Sequence, residues 1–245
     1  MFTGKKLPAV LLGIVLIFLS AAVCLSRGAA LPAFSEAEQG RAVYVLDAGH
    51  GGEDGGAVSA EGCKESDINL AITLRLEALL RFLGEGTVLT RADDVSVYSE
   101  GADTLHQKKV SDLKNRVALV NATPDAVLVS IHQNSLPSAP SVRGAQVFHG
   151  KVPGGETLAL SVQTALNGSV NQGIEKQQKQ IDSSIYLMKH VTGPAVLVEC
   201  GFLSNEEEAA LLPQPAHQTR LAVSIAAGIL NAESGNVIAP QGNTA

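Results

Sequence analysis

Ala126-Val127-Leu128-Val129-Ser130-Ile131-His132-Gln133-Asn134 is the stretch on which the fold turns. From Ala126 to Ile131 it is apolar except for Ser130, which marks a strand covered on both faces, as in a parallel sheet between helical layers. Working outward, Ala42 to Leu46 is a second apolar, β-rich run, broken at Gly49, Gly51 and Gly52. A glycine-rich loop then runs to Gly62, and Ser66 or Asp67 is the expected N-cap of a helix. Ile68, Ala71, Ile72, Leu76, Leu79, Leu80 and Leu83 recur along one face of that helix. Thr87 to Thr90 reads as a short strand, Tyr98 to Lys109 as an irregular loop, and Asp112 to Val120 as a helix. Downstream, Ala145 to His149, Ile185 to Met188 and Ala195 to Val198 read as strands. Leu158 to Val170, Glu206 to Leu212 and Gln218 to Asn231 read as helices, and Lys176 to Ser184 as loops. Strands alternating with helices predict one α/β domain, with a mostly parallel twisted sheet flanked by helices.

The 245 residues divide into an N-terminal segment (1–26), a linker (27–40), the folded domain (41–232) and a mobile tail (233–245). Lys5 and Lys6 precede an apolar run from Leu7 to Ser26, long enough at 1.5 Å per residue to cross the hydrocarbon core. It serves as a cleaved signal peptide or a retained anchor; either puts the domain outside the cytoplasm, membrane-anchored or secreted. Apolar residues make up 45% of the chain, enough for a substantial core. Aromatics are 4% and Trp is absent, so a carbohydrate partner would be gripped mainly by polar contacts. A net charge of −6 excludes a basic nucleic-acid surface. Cys63 and Cys200 are far apart with no Cys-x-x-Cys spacing, which argues against a thiolate zinc site; sequence leaves open whether they are idle thiols or a disulfide.

Three residues with metal or acid–base chemistry follow strands: His50 in Asp47-Ala48-Gly49-His50-Gly51-Gly52, His132, and Glu199 in Leu197-Val198-Glu199-Cys200-Gly201-Phe202. Ligands of open α/β sheets bind beyond the carboxyl ends of the strands, where these residues and Glu65 can meet. Two imidazoles and a carboxylate with one open position form a catalytic zinc set, and a second carboxylate supplies the base that hydrolysis needs. Spacing alone leaves other readings open. A histidine at a strand end can be structural, a glutamate there can cap the next helix, and nothing in the spacing tells Glu65 from Glu199. The glycines around His50 lack the Gly-x-x-x-x-Gly-Lys-Ser/Thr spacing of a phosphate loop.

The segments Leu46 to Gly52, Lys64-Glu65, Leu89-Thr90-Arg91, Asn115-Arg116 through Asn121, Ser130 to Asn134, Gly144-Ala145-Gln146 and Pro194 to Asn205 together resemble the zinc-dependent N-acetylmuramoyl-L-alanine amidases of cell walls. The resemblance implies that His50, Glu65 and His132 hold zinc and that Glu199 is the catalytic acid–base. It also implies that peptidoglycan is the substrate, cut between the lactyl group of muramic acid and L-alanine. The nearest rival reactions are a zinc peptidase cut within the stem and a wall-binding module without catalysis. Asp47 matches a position that either supports His50 or shapes a turn, and Arg91 and Arg116 match positions expected to form structural salt bridges. His190 is expected at the surface, with a substrate contact as the alternative. Ala48, Gln133 and Cys200 depart from the family's usual proline, small residue and apolar residue; strand alternation turns Gln133 and Cys200 away from the site if pairing continues past His132 and Glu199. The segments Lys109 to Val120, Gly144 to Phe148 and Tyr186 to His190 resemble most the germination-specific members, which implies a part in making the muramic-δ-lactam of spore cortex. An activating protein partner is left open.

Overall fold

The computed structural model describes residues 42–235. The Leu7–Ser26 run and most of the expected tail lie outside the described residues, and among those described no helix is long and apolar enough to cross a membrane. The strands are β1 (Val43–Ala48), β2 (Gly86–Leu89), β3 (Ala126–Asn134), β4 (Gln146–His149), β5 (Lys179–Gln180) and β6 (Ala195–Phe202). The helices are α1 (Glu65–Phe82), α2 (Leu105–Ala122), α3 (Gly155–Asn167), α4 (Tyr186–His190), α5 (Glu206–Leu211) and α6 (Pro215–Glu233). The strands form a six-stranded sheet in the order β2-β1-β3-β6-β4-β5. Pairing is parallel throughout except between β4 and β6. The expected α/β architecture with a mostly parallel sheet is therefore the one observed.

Alternation along the strands sorts the core into two layers. Tyr44, Leu46, Val129, Ile131, Val196 and Val198 face Ile72, Leu76 and Leu80 of α1, Val162 and Leu166 of α3, and Leu221, Ile225 and Ile229 of α6. Val45, Leu128, Ala195 and Leu197 face Val120 of α2 and Leu187 and Met188 of α4. Each such aliphatic side chain taken fully out of water contributes about 1.5–3 kcal/mol. With both faces covered, the carboxyl ends of β1, β3 and β6 are left as the open edge.

Four local expectations need correction. Tyr186–His190 is a helix, where Ile185 to Met188 had read as a strand. The Asp182 carboxylate accepts from the Ser184 amide and the Asp182 carbonyl from the Ile185 amide, and this turn launches one helical turn that buries Leu187 and Met188 together. Second, α2 begins at Leu105 rather than Asp112, because Thr104 and Gln107 form a reciprocal capping box over residues first read as loop. Third, Lys179–Gln180 adds a short edge strand inside a segment read as loop. Fourth, α1 starts at Glu65 and carries no side-chain cap. Its first amides donate instead to loop carbonyls, Glu65 to Ala57 at 2.8 Å and Ser66 to Gly55 at 3.1 Å. The glycine-rich loop is itself the cap, which pins Glu65 beside that loop.

α6 meets α3 closely at Gly228, where an added Cβ would overlap the backbone of Val162 on α3. Ser161 Oγ donates to the Gly228 carbonyl at 2.7 Å across the same contact. Gly228→Ala is expected to lower stability by about 1–3 kcal/mol, the usual cost of overpacking. Denaturant titration would show this as a lower midpoint at unchanged slope, and an unchanged midpoint would show that α6 can move away from α3 freely.

Candidate active site

His50, Glu65 and His132 meet at the open edge, with donor atoms that lie within 4.8 Å of one another. Each is placed by a different kind of constraint. His132 is carried on β3 itself, which continues to Asn134 rather than ending before it. Its Nδ1 lies 2.9 Å from Glu65 Oε1. The far side of its ring rests on Gly49, where any Cβ would overlap it. His50 sits one step beyond Gly49 in the left-handed region, at φ 62°, a conformation that non-glycine residues hold only when their surroundings fix it. Glu65 is the first residue of α1 and is buried.

The conformation of His50 is fixed by two arginines that grip the backbone around it. Arg116 donates to the carbonyls of Ala48 and His50, both at 2.8 Å, and to Asp47 Oδ1 at 2.6 Å. Arg91 donates to the carbonyls of Ala48 (2.9 Å), Gly49 (3.2 Å) and Ser66 (2.9 Å). The expected salt bridges are thus real for Arg116, which also pairs with Asp112. Arg91 acts chiefly through carbonyls. Asp47 supports the His50 loop through Arg116; it accepts from Arg116, Thr90 (2.8 Å) and Ser130 (2.6 Å), joining β1, α2 and β3 beneath the loop.

The histidine rings are oriented from outside the cluster. His50 Nδ1 lies 3.0 Å from Asp54 Oδ2, so that Nε2 is left facing Glu65 Oε1 at 3.3 Å. Asp54 is held in turn by Lys109 of α2 at 2.9 Å. A carboxylate on the far nitrogen is the usual support for a metal-binding histidine. Sequence reading missed Asp54, although its spacing of four residues from His50 within the glycine loop was available. Burial acts to lower the pKa of His50, but Glu65 and then Asp54 override it and raise it to about 9. Burial acts to raise the pKa of Glu65, but its hydrogen bonds to His132 and His50 hold it well below the usual carboxylate range.

Glu199 arrives on β6 in register with His132, on the same face of the sheet. Its Oε2 is out of solvent contact and has no hydrogen-bond partner. Burial pushes its carboxyl up to about 7, with His132 opposing, Glu65 adding to the rise and His50 opposing. A half-buried carboxyl near neutrality, with one oxygen out of solvent and unpartnered and beside a cluster of imidazoles and an ionised carboxylate, suits proton transfer at physiological pH. From the cluster a cavity of about 280 Å³ runs between the His50 loop and α2, walled by Tyr98, Leu105, Lys108 and Leu113.

Other sequence readings fall outside this cluster. Gln133 and Cys200 are both buried, Cys200 within the core layer that packs on α1, although the β3–β6 register shifts just past His132 and Glu199. Cys63 and Cys200 are free thiols, and burial raises the Cys200 thiol far above its ordinary range. The ring of His190 lies 4.2 Å from that of Tyr186, at the exposed end of α4.

Two imidazoles, an ionised carboxylate and a separate unpartnered carboxyl, gathered at the carboxyl ends of parallel strands, form the side-chain set of a metallohydrolase. They fit zinc: the donors are nitrogen and oxygen, they lie within 4.8 Å of one another, and His50 and His132 open on the adjoining cavity. The chain belongs to the N-acetylmuramoyl-L-alanine amidase family, which it matches over residues 45–231. It is 37% identical over 191 residues to the germination-specific N-acetylmuramoyl-L-alanine amidase of Bacillus subtilis (strain 168), covering 78% of this chain and 79% of that one. Among solved structures it resembles the CwlD amidase from Clostridioides difficile in complex with the GerS lipoprotein, at 39% identity and a TM-score of 0.76, covering 80% of this chain and all of that one (100%). It also resembles the amidase AmiC2 of Nostoc punctiforme, at 29% identity and a TM-score of 0.68 over 80% of this chain and 99% of that one. The chain is therefore a peptidoglycan amidase, a hydrolase of the bond between N-acetylmuramic acid and L-alanine. This sets aside both the peptidase and the non-catalytic readings.

The buried pair beneath the loop gives a pH-dependent stability. Burial would raise the pKa of Asp47, but Arg116, with the Ser130 hydrogen bond, lowers it from 3.8 to about 2. A depressed carboxylate stabilises the fold above its unfolded pKa and loses that contribution as pH falls through its folded one. Asp47→Asn is therefore expected to cost about 2–3 kcal/mol at pH 7, since it removes one of the two carboxylates that pair the buried Arg116 and leaves Asp112 alone to balance it. The deficit relative to the wild type is expected to shrink between about pH 4 and pH 2. Urea titrations of both proteins across that range measure it, and a deficit independent of pH would remove Asp47 ionisation as the cause.

Proposed function

We propose that His50, Glu65 and His132 hold a zinc ion and that Glu199 carries the protons of amide hydrolysis. The observation that carries this reading is the unpartnered, buried Oε2 of Glu199 on the strand next to His132, beside the three converged donors. Bound zinc would supply Lewis acidity at the scissile carbonyl and lower the pKa of a coordinated water to about 7. Glu199 takes a proton from the attacking water and delivers one to the departing alanine nitrogen. Its raised pKa keeps both protonation states accessible near neutrality. Asp54 keeps the His50 ring turned so that Nε2 faces the metal position, and Glu65 balances the positive charge there. The cavity along α2 has the size and the mixed apolar and lysine lining to take one arm of the substrate beside the scissile bond.

The germination-specific and CwlD relatives support a narrower reading, in which this amidase strips stems from cortex muramic acid so that muramic-δ-lactam can form. The complex in which CwlD was solved supports a protein partner for this chain as well. The charged N-terminus followed by the Leu7–Ser26 run supports placement of the domain outside the cytoplasm, on an anchor or after cleavage.

Two substitutions separate the glutamates. Glu199→Gln is expected to retain zinc and substrate binding while kcat falls about 10²–10⁴-fold. Glu65→Gln, by removing a charged ligand, is expected to weaken zinc binding, with partial recovery of turnover in excess zinc. Zinc content by atomic emission, with mass spectrometry of digested peptidoglycan, reads both: the product should carry a free lactyl carboxylate and a free L-alanine amine. Loss of zinc from Glu199→Gln with retention in Glu65→Gln would reverse the roles. In cells, a strain lacking the protein is expected to grow normally and make cortex without muramic-δ-lactam; a separation defect with normal cortex would place it among vegetative amidases.

A further inference from the structure

Behind the three donors lies a fully buried amide, that of Asn69. It stands one helical turn after Glu65 on α1, on the buried face that also carries Ile68, Ile72 and Leu76. Its Nδ2 donates to the Gly49 carbonyl at 3.1 Å and to Glu65 Oε1 at 3.3 Å. Its Oδ1 accepts from Gln133 Nε2 at 3.0 Å. Gly49 immediately precedes His50, and Gln133 immediately follows His132. One side chain therefore bonds to each of the three segments that bring a donor to the cluster.

The atom of Glu65 that it holds is the one facing both imidazoles. The rest of that carboxylate is held by backbone: Gln133 N donates to Oε1 at 3.1 Å and Ala57 N to Oε2 at 2.9 Å. A neutral amide donor can fix a carboxylate without cancelling the charge that a cation needs, which a lysine or arginine in the same place would do. The Gln133 bond also orients the amide, because it occupies Oδ1 and leaves both N–H groups for Gly49 and Glu65.

We propose that Asn69 is a positioning residue for the metal centre, and that Gln133 acts through it. Asn69 holds Glu65 and the His50 loop at binding separation before any ion arrives, and Gln133 ties that arrangement to the strand bearing His132. The inference rests on the zinc reading given above.

The test uses the full-length protein and zinc itself. Zinc affinity is measured by competition with a chromophoric chelator for the wild type, Asn69→Ala, Gln133→Ala and the double variant, and thermal unfolding of each zinc-free protein is followed alongside. Loss of a support for a metal ligand typically costs about 10–100-fold in affinity, which is the fall expected for Asn69→Ala. Gln133→Ala is expected to fall less and in the same direction. The double variant is expected to match Asn69→Ala alone, because the Gln133 side chain has no other route to the site in this scheme. A folded Asn69→Ala with wild-type affinity, whatever its unfolding temperature, would reduce Asn69 to a structural residue and overturn the proposal. If Asn69→Ala does not fold, Gln133→Ala decides: unchanged affinity overturns the proposal. A wild-type protein that binds no zinc would overturn the reading of the site itself, and the proposal with it.

Discussion

Arg116 and Asp47 meet in the interior with both side chains almost fully out of water, and most of what lies above them depends on that contact. A buried charge without its partner is among the costliest faults a fold can carry. The pair is satisfied on every side: Asp47 also accepts from Thr90 and Ser130, and Arg116 also reaches Asp112 and the carbonyls of Ala48 and His50. It thus does two jobs with one set of atoms. Below, it locks β1 to β3 and α2. Above, it supplies the donors that let His50 hold a left-handed conformation and project its ring over the sheet edge. The stability of the domain and the shape of its reactive loop are therefore parts of one electrostatic arrangement.

Around that pair the fold concentrates chemistry at one edge. β1 delivers the loop of His50 from its carboxyl end, and β3 and β6 deliver His132 and Glu199 from their carboxyl halves. α1, capped by the carbonyls of Gly55 and Ala57, delivers Glu65 from the side. The glycine-rich loop serves as cap for α1, seat for Asp54 and donor to Glu65 Oε2 through Ala57. A segment that looks featureless in composition is thus one of the most constrained parts of the molecule.

How much of this the sequence disclosed follows from the range of each interaction. The strand of Ala126 to Ile131 and the stripe of Ile68, Ile72 and Leu76 are written in local periodicity, and both appear as read. His50, Glu65, His132 and Glu199 stood out because their types and order match a family, and the fold brings the first three together and sets Glu199 beside His132. The missed features had other causes. The Thr104–Gln107 box was a local signal overlooked within a polar run. Tyr186–His190 is too short for helical periodicity to separate from a strand. The loop cap of α1 and the roles of Asp47, Asp54 and Asn69 rest on partners that only folding brings near, across as many as 83 positions for Asp47 and Ser130. Asn69 did leave a trace, as a polar residue on the face that carries Ile68, Ile72 and Leu76.

The register between His132 and Glu199 has an implication for how such a domain can diversify. These two residues occupy paired positions on adjacent parallel strands, so their separation is a repeat distance of the sheet rather than the outcome of loop folding. The cavity wall, by contrast, is made by α2 and the segment that carries Tyr98. Insertions, deletions or substitutions in that wall can reshape what is admitted while the spacing between ligand and proton carrier stays fixed by the backbone ladder. Changes of diet are cheap in such an architecture, and changes of reaction are hard.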